Sequence, residues 1–226
     1  MNQTIKHLGI IMDGNRRWAK SQGLPSFEGH RAGYKKVGEL LEWCREAKIE
    51  TLTLFAFSTE NWQRAKDEVD FLMGLFYQVF NHDIKKLHEN KVRVRLIGRK
   101  ETLPDNLAKA IKAAEELTQD NIGYNLNLAI NYGGRAELLD AFKKILKNPP
   151  EEITEETITN NLYTAGQSDP DLIIRTSGEQ RLSGFLTWQS AYSELLFIQH
   201  HWPEFSQQDF NDALTNFANR HRRFGK

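Results

Sequence analysis

Cysteine is nearly absent from this 226-residue sequence, where Cys44 stands alone. One thiol cannot close an intramolecular disulfide, and a structural zinc site built on thiolates is excluded. No charge of either sign dominates: Lys and Arg total 30, Asp and Glu total 30, and the formal net charge is zero. A surface that coats nucleic acid needs a basic excess, so no nucleic-acid partner is expected. A disordered acidic or basic tail protein is excluded on the same ground. The apolar runs fall far short of the roughly 20 residues of a membrane span. Residues 1–6 hold no signal-peptide apolar segment, so the expectation is a cytoplasmic protein. The familiar phosphate and hydrolase signatures are missing too: no P-loop, GxGxxG, HExxH or GxSxG, and no Asp-rich DDxxD pair.

What is present suffices for a sizeable core. Hydrophobic residues make up 39% and aromatics 11%, with 13 Phe and 5 Trp, more than solubility needs and enough for some to shape a pocket. Short β-rich runs at 7–12, 51–57, 92–97, 124–130, 171–175 and 195–198 alternate with helical patterns at 34–48, 67–89, 104–118, 134–147, 154–163 and 206–219. Ser206 is placed to cap the last of these, with Asp209 three residues on. The alternation predicts an α/β fold: a mostly parallel central sheet flanked by helices, in a single domain over 1–226. No low-complexity linker or internal repeat divides the chain.

In a parallel α/β sheet, ligands bind beyond the carboxyl ends of the strands. That rule selects Asp13-Gly14-Asn15-Arg16-Arg17-Trp18, then residues 58–64, then Asn131-Tyr132-Gly133-Gly134-Arg135, then residues 175–183. These segments are rich in Arg, Asn, Ser and Gly beside a few carboxylates. Glycines let backbone N–H groups approach an anion, and arginines grip its oxygens in a fork. A lone carboxylate among arginines suggests Mg²⁺ shared with phosphate oxygens. Each feature also has a plain structural account. Asp13-Gly14 is an ordinary turn, Trp18 can simply pack, His30 can begin a helix, Glu60 can support its loop, and Arg175 and Arg181 can pair with Glu179. Four such clusters at one end of the sheet weigh against all of these holding together. The arginines are expected to converge there, with compensating acids spread over the outer helices.

The same residues carry a resemblance. MDGNRRWA (12–19), GHRAG (29–33), FSTENWQR (57–64), NYGGRAE (131–137), DLIIRTSGEQRLSGFLTWQSAYSEL (171–195) and FANRHRRFGK (217–226) resemble the cis-prenyltransferases, most of all bacterial undecaprenyl diphosphate synthases. The resemblance implies a Mg²⁺-dependent, homodimeric enzyme that condenses isopentenyl diphosphate onto farnesyl diphosphate. Its product would be the C55 lipid-carrier precursor of peptidoglycan, and its fold would hold a hydrophobic tunnel for the prenyl chain. By motif position, Asp13 would be the essential carboxylate at the Mg²⁺-diphosphate site, with Glu194 a further metal-associated carboxylate. Gly14, Asn15, Arg17 and His30 would cradle the allylic diphosphate, beside Trp18. Ser58, Glu60, Asn61, Trp62 and Arg64 would form a catalytic loop. Arg175, Arg181 and Ser183 would hold isopentenyl diphosphate, and Arg223 and Gly225 would complete a partner subunit's site. Ser26 stands where the family usually has Arg, and Gly184 where it often has Asn.

The hard step in such a reaction is breaking an allylic C–O bond while negative charge grows on the departing diphosphate. A diphosphate oxygen, Asp13, and Asn61 acting through its neighbours all qualify as the acceptor of the proton lost afterwards. Phe71 and Leu75 broaden the apolar arc of the 67–89 helix, which with the 34–48 helix would wall the tunnel. Its product being insoluble, transient contact with the inner face of the membrane is expected. The alternatives are a cis-prenyltransferase of another product length, a non-catalytic partner subunit, and an RNA- or nucleotide-binding module using the Arg clusters.

Overall fold

The computed structural model describes residues 4–220. Six strands form one sheet: β1 (His7–Ile11), β2 (Thr51–Ser58), β3 (Arg93–Ile97), β4 (Asn125–Tyr132), β5 (Leu172–Arg175) and β6 (Glu194–Phe197). Their order is β3-β4-β2-β1-β5-β6, and every pair is parallel. Strands buried on both faces read as continuous apolar runs rather than alternating ones. β1, with all five residues buried, and the fully buried β5 follow that pattern.

Eight helices accompany the strands among the described residues: α1 (Asn15–Ser21), α2 (Ser26–Glu46), α3 (Lys66–Gln78), α4 (Ile84–Glu89), α5 (Asp105–Thr118), α6 (Gly134–Lys147), α7 (Glu155–Thr159) and α8 (Gln207–Ala218). The larger core lies on one face, where Leu40, Leu72, Phe76, Ile111 and Phe210 pack with Leu52, Leu54 and Leu128 of the sheet. The other face is closed around Tyr132, Phe185 and Leu186. The Ser206 cap forms as expected: Ser206 Oγ accepts from Asp209 N. No helix among the described residues is long and apolar enough to cross a membrane.

Four elements differ from the sequence expectation, the first being α7, which covers only Glu155–Thr159 of the expected 154–163. The sequence predicts only a turn after β1, yet a helix, α1, forms there, led by Gly14 at φ 102°. α2 begins at Ser26 rather than 34, because Gly29 and Gly33, poor helix formers in isolation, let α1 cross closely. A Cβ on Gly29 would lie 2.0 Å from the Asn15 carbonyl oxygen. The expected 67–89 helix is broken by a π-helical turn at Val79–Asp83. There the Tyr34 hydroxyl donates to Asp83 Oδ2 from α2. Single π turns often interrupt helices at functional sites, and this one lies in the wall described next.

Candidate active site

The chain turns aside from β1 into α1, and crosses the sheet between β4 and β5, so the strand order reverses at the β1/β5 boundary. A crevice forms at such a switch point. Asp13 follows β1 and Arg175 ends β5, and they meet there: Arg175 Nη2 donates to Asp13 Oδ2 at 2.9 Å. Arg17 Nη2 sits 3.0 Å from Asp13 Oδ1. Burial pushes the Asp13 carboxyl up, but hydrogen bonds and charge from Arg175 and Arg17 outweigh it and hold the group below the usual carboxylate range. The Asp13 backbone is fixed as well. Its N–H donates to Thr176 Oγ1 at 3.0 Å, and Thr176 Oγ1 donates back to the Asp13 carbonyl at 2.7 Å.

Gly14 has no substitute at this turn. Its φ of +102° disfavours any side chain, and a Cβ would lie 2.7 Å from both Ser177 Oγ and His201 Nδ1. Arg175 Nη1 donates to the Arg181 carbonyl and to Ser183 Oγ at 2.9 Å, so Arg175 braces the 175–183 loop from within. Arg181 and Arg17 share Glu179. Arg175 Nε and Asn15 Oδ1 are buried without a hydrogen-bond partner, which leaves unused polar capacity beside Asp13.

From this rim a cavity of about 1140 Å³ runs along one face of the sheet. Asp13, Gly14, Asn15, Arg17, His30, Ser58, Asn61, Arg64, Arg175 and Ser183 line its polar end. Leu41 of α2, Leu72, Leu75 and Phe76 of α3, and Leu54, Leu126 and Leu128 of the sheet line the rest. The cavity extends to Val92 and Tyr124, just before β3 and β4, and so spans the height of the sheet.

Other expected residues stand outside this lining. Trp62 packs edge-on against Phe57 at 5.1 Å and donates from Nε1 to Asn131 Oδ1 at 2.8 Å, which anchors the 59–63 turn from behind. Trp18 is half-buried on α1, and Glu60 is exposed, receiving the Thr59 hydroxyl at 3.1 Å. Arg181 is exposed on its loop. Phe71 does not join the cavity wall: it packs on Phe27 at 5.1 Å under the Arg31 guanidinium. The 131–135 cluster is support rather than wall. Tyr132 is fully buried and donates to Glu137 Oε2 at 2.6 Å, a carboxyl that burial pushes up.

Glu194 does not reach Asp13 within this chain. It opens β6 opposite Leu172, whereas Arg175 pairs with Phe197 at the far end, roughly 10 Å along at 3.3 Å per residue. Its carboxylate pairs with Arg220 at 2.6 Å. Arg223 and Gly225 lie outside the described residues. Among the described residues no three His, Cys, Asp or Glu side chains gather as metal ligands. Asp13 is the carboxylate that stands among the arginines at the polar end of the lining, and a hard ion there would need ligand oxygens to complete its shell, which is how Mg²⁺ is usually held.

One carboxylate escaped the sequence expectation. Glu68, in the first turn of α3, is buried and receives Arg64 Nη1 at 2.9 Å and His30 Nε2 at 3.1 Å. The Arg64-to-Glu68 spacing of four was its only signal in the sequence.

The family model of undecaprenyl diphosphate synthases, Prenyltransf, matches residues 11–225. The chain belongs to this prenyltransferase family. An isoprenyl transferase of Thermotoga maritima is 50% identical over 97% of this chain and 96% of its own length. A geranylgeranyl-diphosphate-specific tritrans,polycis-undecaprenyl-diphosphate synthase of Thermococcus kodakarensis is 48% identical over 98% of this chain and 87% of its own. Lavandulyl diphosphate synthase from Lavandula x intermedia, solved with dimethylallyl diphosphate, superposes with a TM-score of 0.95 at 38% identity, covering 99% of both chains. The prenyltransferase fold expected from the motifs is therefore the fold observed, six parallel strands with flanking helices.

Proposed function

We propose that this chain is a Mg²⁺-dependent cis-prenyltransferase that adds isopentenyl diphosphate units to farnesyl diphosphate, giving the C55 diphosphate that precedes the peptidoglycan lipid carrier. One observation carries the reading: an arginine-rich anion rim sits at the mouth of a largely apolar cavity of about 1140 Å³. A ligand with a charged head and a long hydrocarbon tail fits that contrast. Typical small-molecule pockets span about 300–1,000 Å³.

In this reading Asn15, Arg17 and His30 receive the primer diphosphate, while Arg175, Ser183 and Arg181 receive isopentenyl diphosphate. Mg²⁺ at Asp13 would neutralise charge on the departing diphosphate. The double bond of isopentenyl diphosphate attacks the allylic carbon as the C–O bond breaks and diphosphate departs, and the proton then lost passes to one of the acceptors named above: a diphosphate oxygen, Asp13, or Asn61 acting through its neighbours. The apolar walls keep water from the cation-like centre. The lengthening chain occupies the cavity between α2, α3 and the sheet. Homodimerisation is part of the reading and is supported by an exposed apolar stripe on α6, where Leu139, Phe142 and Leu146 are 58%, 44% and 76% exposed. Arg223 and Gly225 would reach the partner's site, and release of so apolar a product calls for a membrane surface.

The test is incorporation of labelled isopentenyl diphosphate with Mg²⁺ and farnesyl diphosphate, with product length read by mass spectrometry. Geranylgeranyl and dimethylallyl diphosphate serve as parallel primers, because one similar protein is named for the first and another was solved with the second. A C55 product from farnesyl diphosphate is expected; no product with any primer overturns the reading.

A further inference from the structure

Glu68 is 8% exposed, and a buried carboxylate is costly unless it is paired. This one is over-paired. Oε1 accepts from both His30 Nε2 and Arg64 Nη1, and Arg16 Nη1 lies 3.6 Å from Oε2. The three partners come from three segments: α1, α2 and the residue that ends the 59–63 turn. All three partner side chains line the cavity, and the carboxylate they share does not.

We propose that Glu68 is a positioning residue of the primer-diphosphate site, tying the N–H donors of Arg16, His30 and Arg64 into one wall. The inference rests on the prenyltransferase reading above. Two effects of opposite sign separate it from a bland account. As a charge alone, Glu68 weakens the pull of the wall on an anion, so neutralising it would tighten diphosphate binding. As a positioning group, it holds His30 and Arg64 by hydrogen bonds to Oε1 and Arg16 by charge, 3.6 Å from Oε2. Glutamine could keep the Oε1 bonds only without the charge that strengthens them, and its amide N–H groups would face the Arg16 guanidinium.

His30 sharpens the contrast. With Nε2–H committed to Glu68, only Nδ1 is left for a ligand, and Nδ1 donates to a phosphate oxygen only when the ring is protonated. Burial disfavours the charged ring; Glu68 from α3 favours it, while Arg64 and Arg16 oppose it. Removing the Glu68 charge therefore moves loss of the imidazolium to lower pH.

The experiment compares wild type, Glu68→Gln and Glu68→Asp across pH 5.5–9, with farnesyl diphosphate, isopentenyl diphosphate and Mg²⁺. In parallel, calorimetry follows binding of inorganic diphosphate, which needs no turnover. For Glu68→Gln we expect kcat to fall at least tenfold, KM for isopentenyl diphosphate to stay within twofold, and the alkaline limb of kcat/KM for farnesyl diphosphate to move to lower pH. Diphosphate binding should show the same shift. Glu68→Asp keeps the charge but is one methylene too short to hold all three partners, so kcat should fall severalfold. Unchanged kcat with tighter diphosphate binding in Glu68→Gln would leave only the charge effect and overturn the inference. So would a wild-type-like Glu68→Asp, or lost activity with an unmoved alkaline limb and a collapsed melting curve. A wild type that binds diphosphate but elongates no primer defeats the prenyltransferase reading, and the binding profiles still decide for or against Glu68.

Discussion

Two glycines of α2, five residues apart, should respond oppositely to the same substitution. Gly→Ala inside a helix gains about 1 kcal/mol from backbone entropy. At Gly38 nothing lies within 4 Å of the added methyl, so the gain stands nearly whole, about 0.5–1 kcal/mol. At Gly33 the same methyl would sit 2.3 Å from Asn15 Oδ1 and 2.9 Å from Trp202 Cδ1. The Asn15 amide can turn away. Trp202 cannot, because it is fully buried and its Nε1 donates to the Gly33 carbonyl at 2.8 Å. Overpacking costs about 1–3 kcal/mol and a strained indole hydrogen bond about 1 kcal/mol. Gly33→Ala should therefore be destabilised by a net ~1–3 kcal/mol, some 2–4 kcal/mol below Gly38→Ala. At about 2–4 °C per kcal/mol for a chain of this size, the melting temperatures should differ by roughly 4–16 °C. Thermal unfolding by circular dichroism, checked by urea denaturation, measures this. Equal melting temperatures, or the reverse order, would refute the close α1–α2 contact as the reason for GHRAG. Gly38 also lines the cavity, so Gly38→Phe should intrude there and shorten the product seen by mass spectrometry; unchanged product length would count against the cavity as the chain's seat.

Asp13→Asn keeps an oxygen for Arg175 but loses the charge. The melting temperature should stay within a few degrees while kcat falls about 10²–10³-fold, the scale of losing a preorganised electrostatic group; a melting curve that collapses with activity would make Asp13 structural. Ser26 lines the cavity mouth, so Ser26→Arg should lower KM for farnesyl diphosphate, and a marked rise would show that this end of α2 is arranged otherwise. Asp140 is held at about 2 by the two-pronged hydrogen bonds from Arg99, helped by Tyr163. A carboxyl depressed in this way stabilises the fold above its unfolded value of 3.8 and loses that contribution as pH falls towards about 2. Asp140→Asn should flatten the loss of urea stability across that window, and an unchanged acid slope would refute the assignment.

The sheet and the polar rim were legible because both depend on order along the chain. Parallel βαβ units leave their βα loops at one end, so Asp13, Ser58 and Arg175 could be brought together from sequence alone. What was hidden depends on contact between distant segments. GHRAG looks like a helix breaker until Asn15 of α1 is seen lying against it. The 131–135 loop carries the same Arg, Asn and Gly as the others, yet Tyr132 turns inward to Glu137 and Asn131 spends its amide on Trp62, Arg99 and Thr102. Composition cannot tell a loop that walls a cavity from one that braces it. Glu194 shows the same limit, since a strand's first residue and the residue after its last lie at opposite ends of the sheet.

Net charge makes the point most sharply. Zero over the whole chain suggested arginines at the site balanced by acids on outer helices. The balance is mostly local instead: Asp13 takes Arg17 and Arg175, Glu179 takes Arg17 and Arg181, and Glu68 takes Arg64 and Arg16. Five arginines share three carboxylates, with His30 beside them. Under the proposed function that surplus would attract a diphosphate, with the carboxylates holding the donors in place before it arrives. Preorganised donors cost no reorganisation when charge develops on a leaving group. A chain of zero net charge can therefore still present a cavity rim where five arginines outnumber three carboxylates, and those carboxylates are the groups that pair with the arginines there.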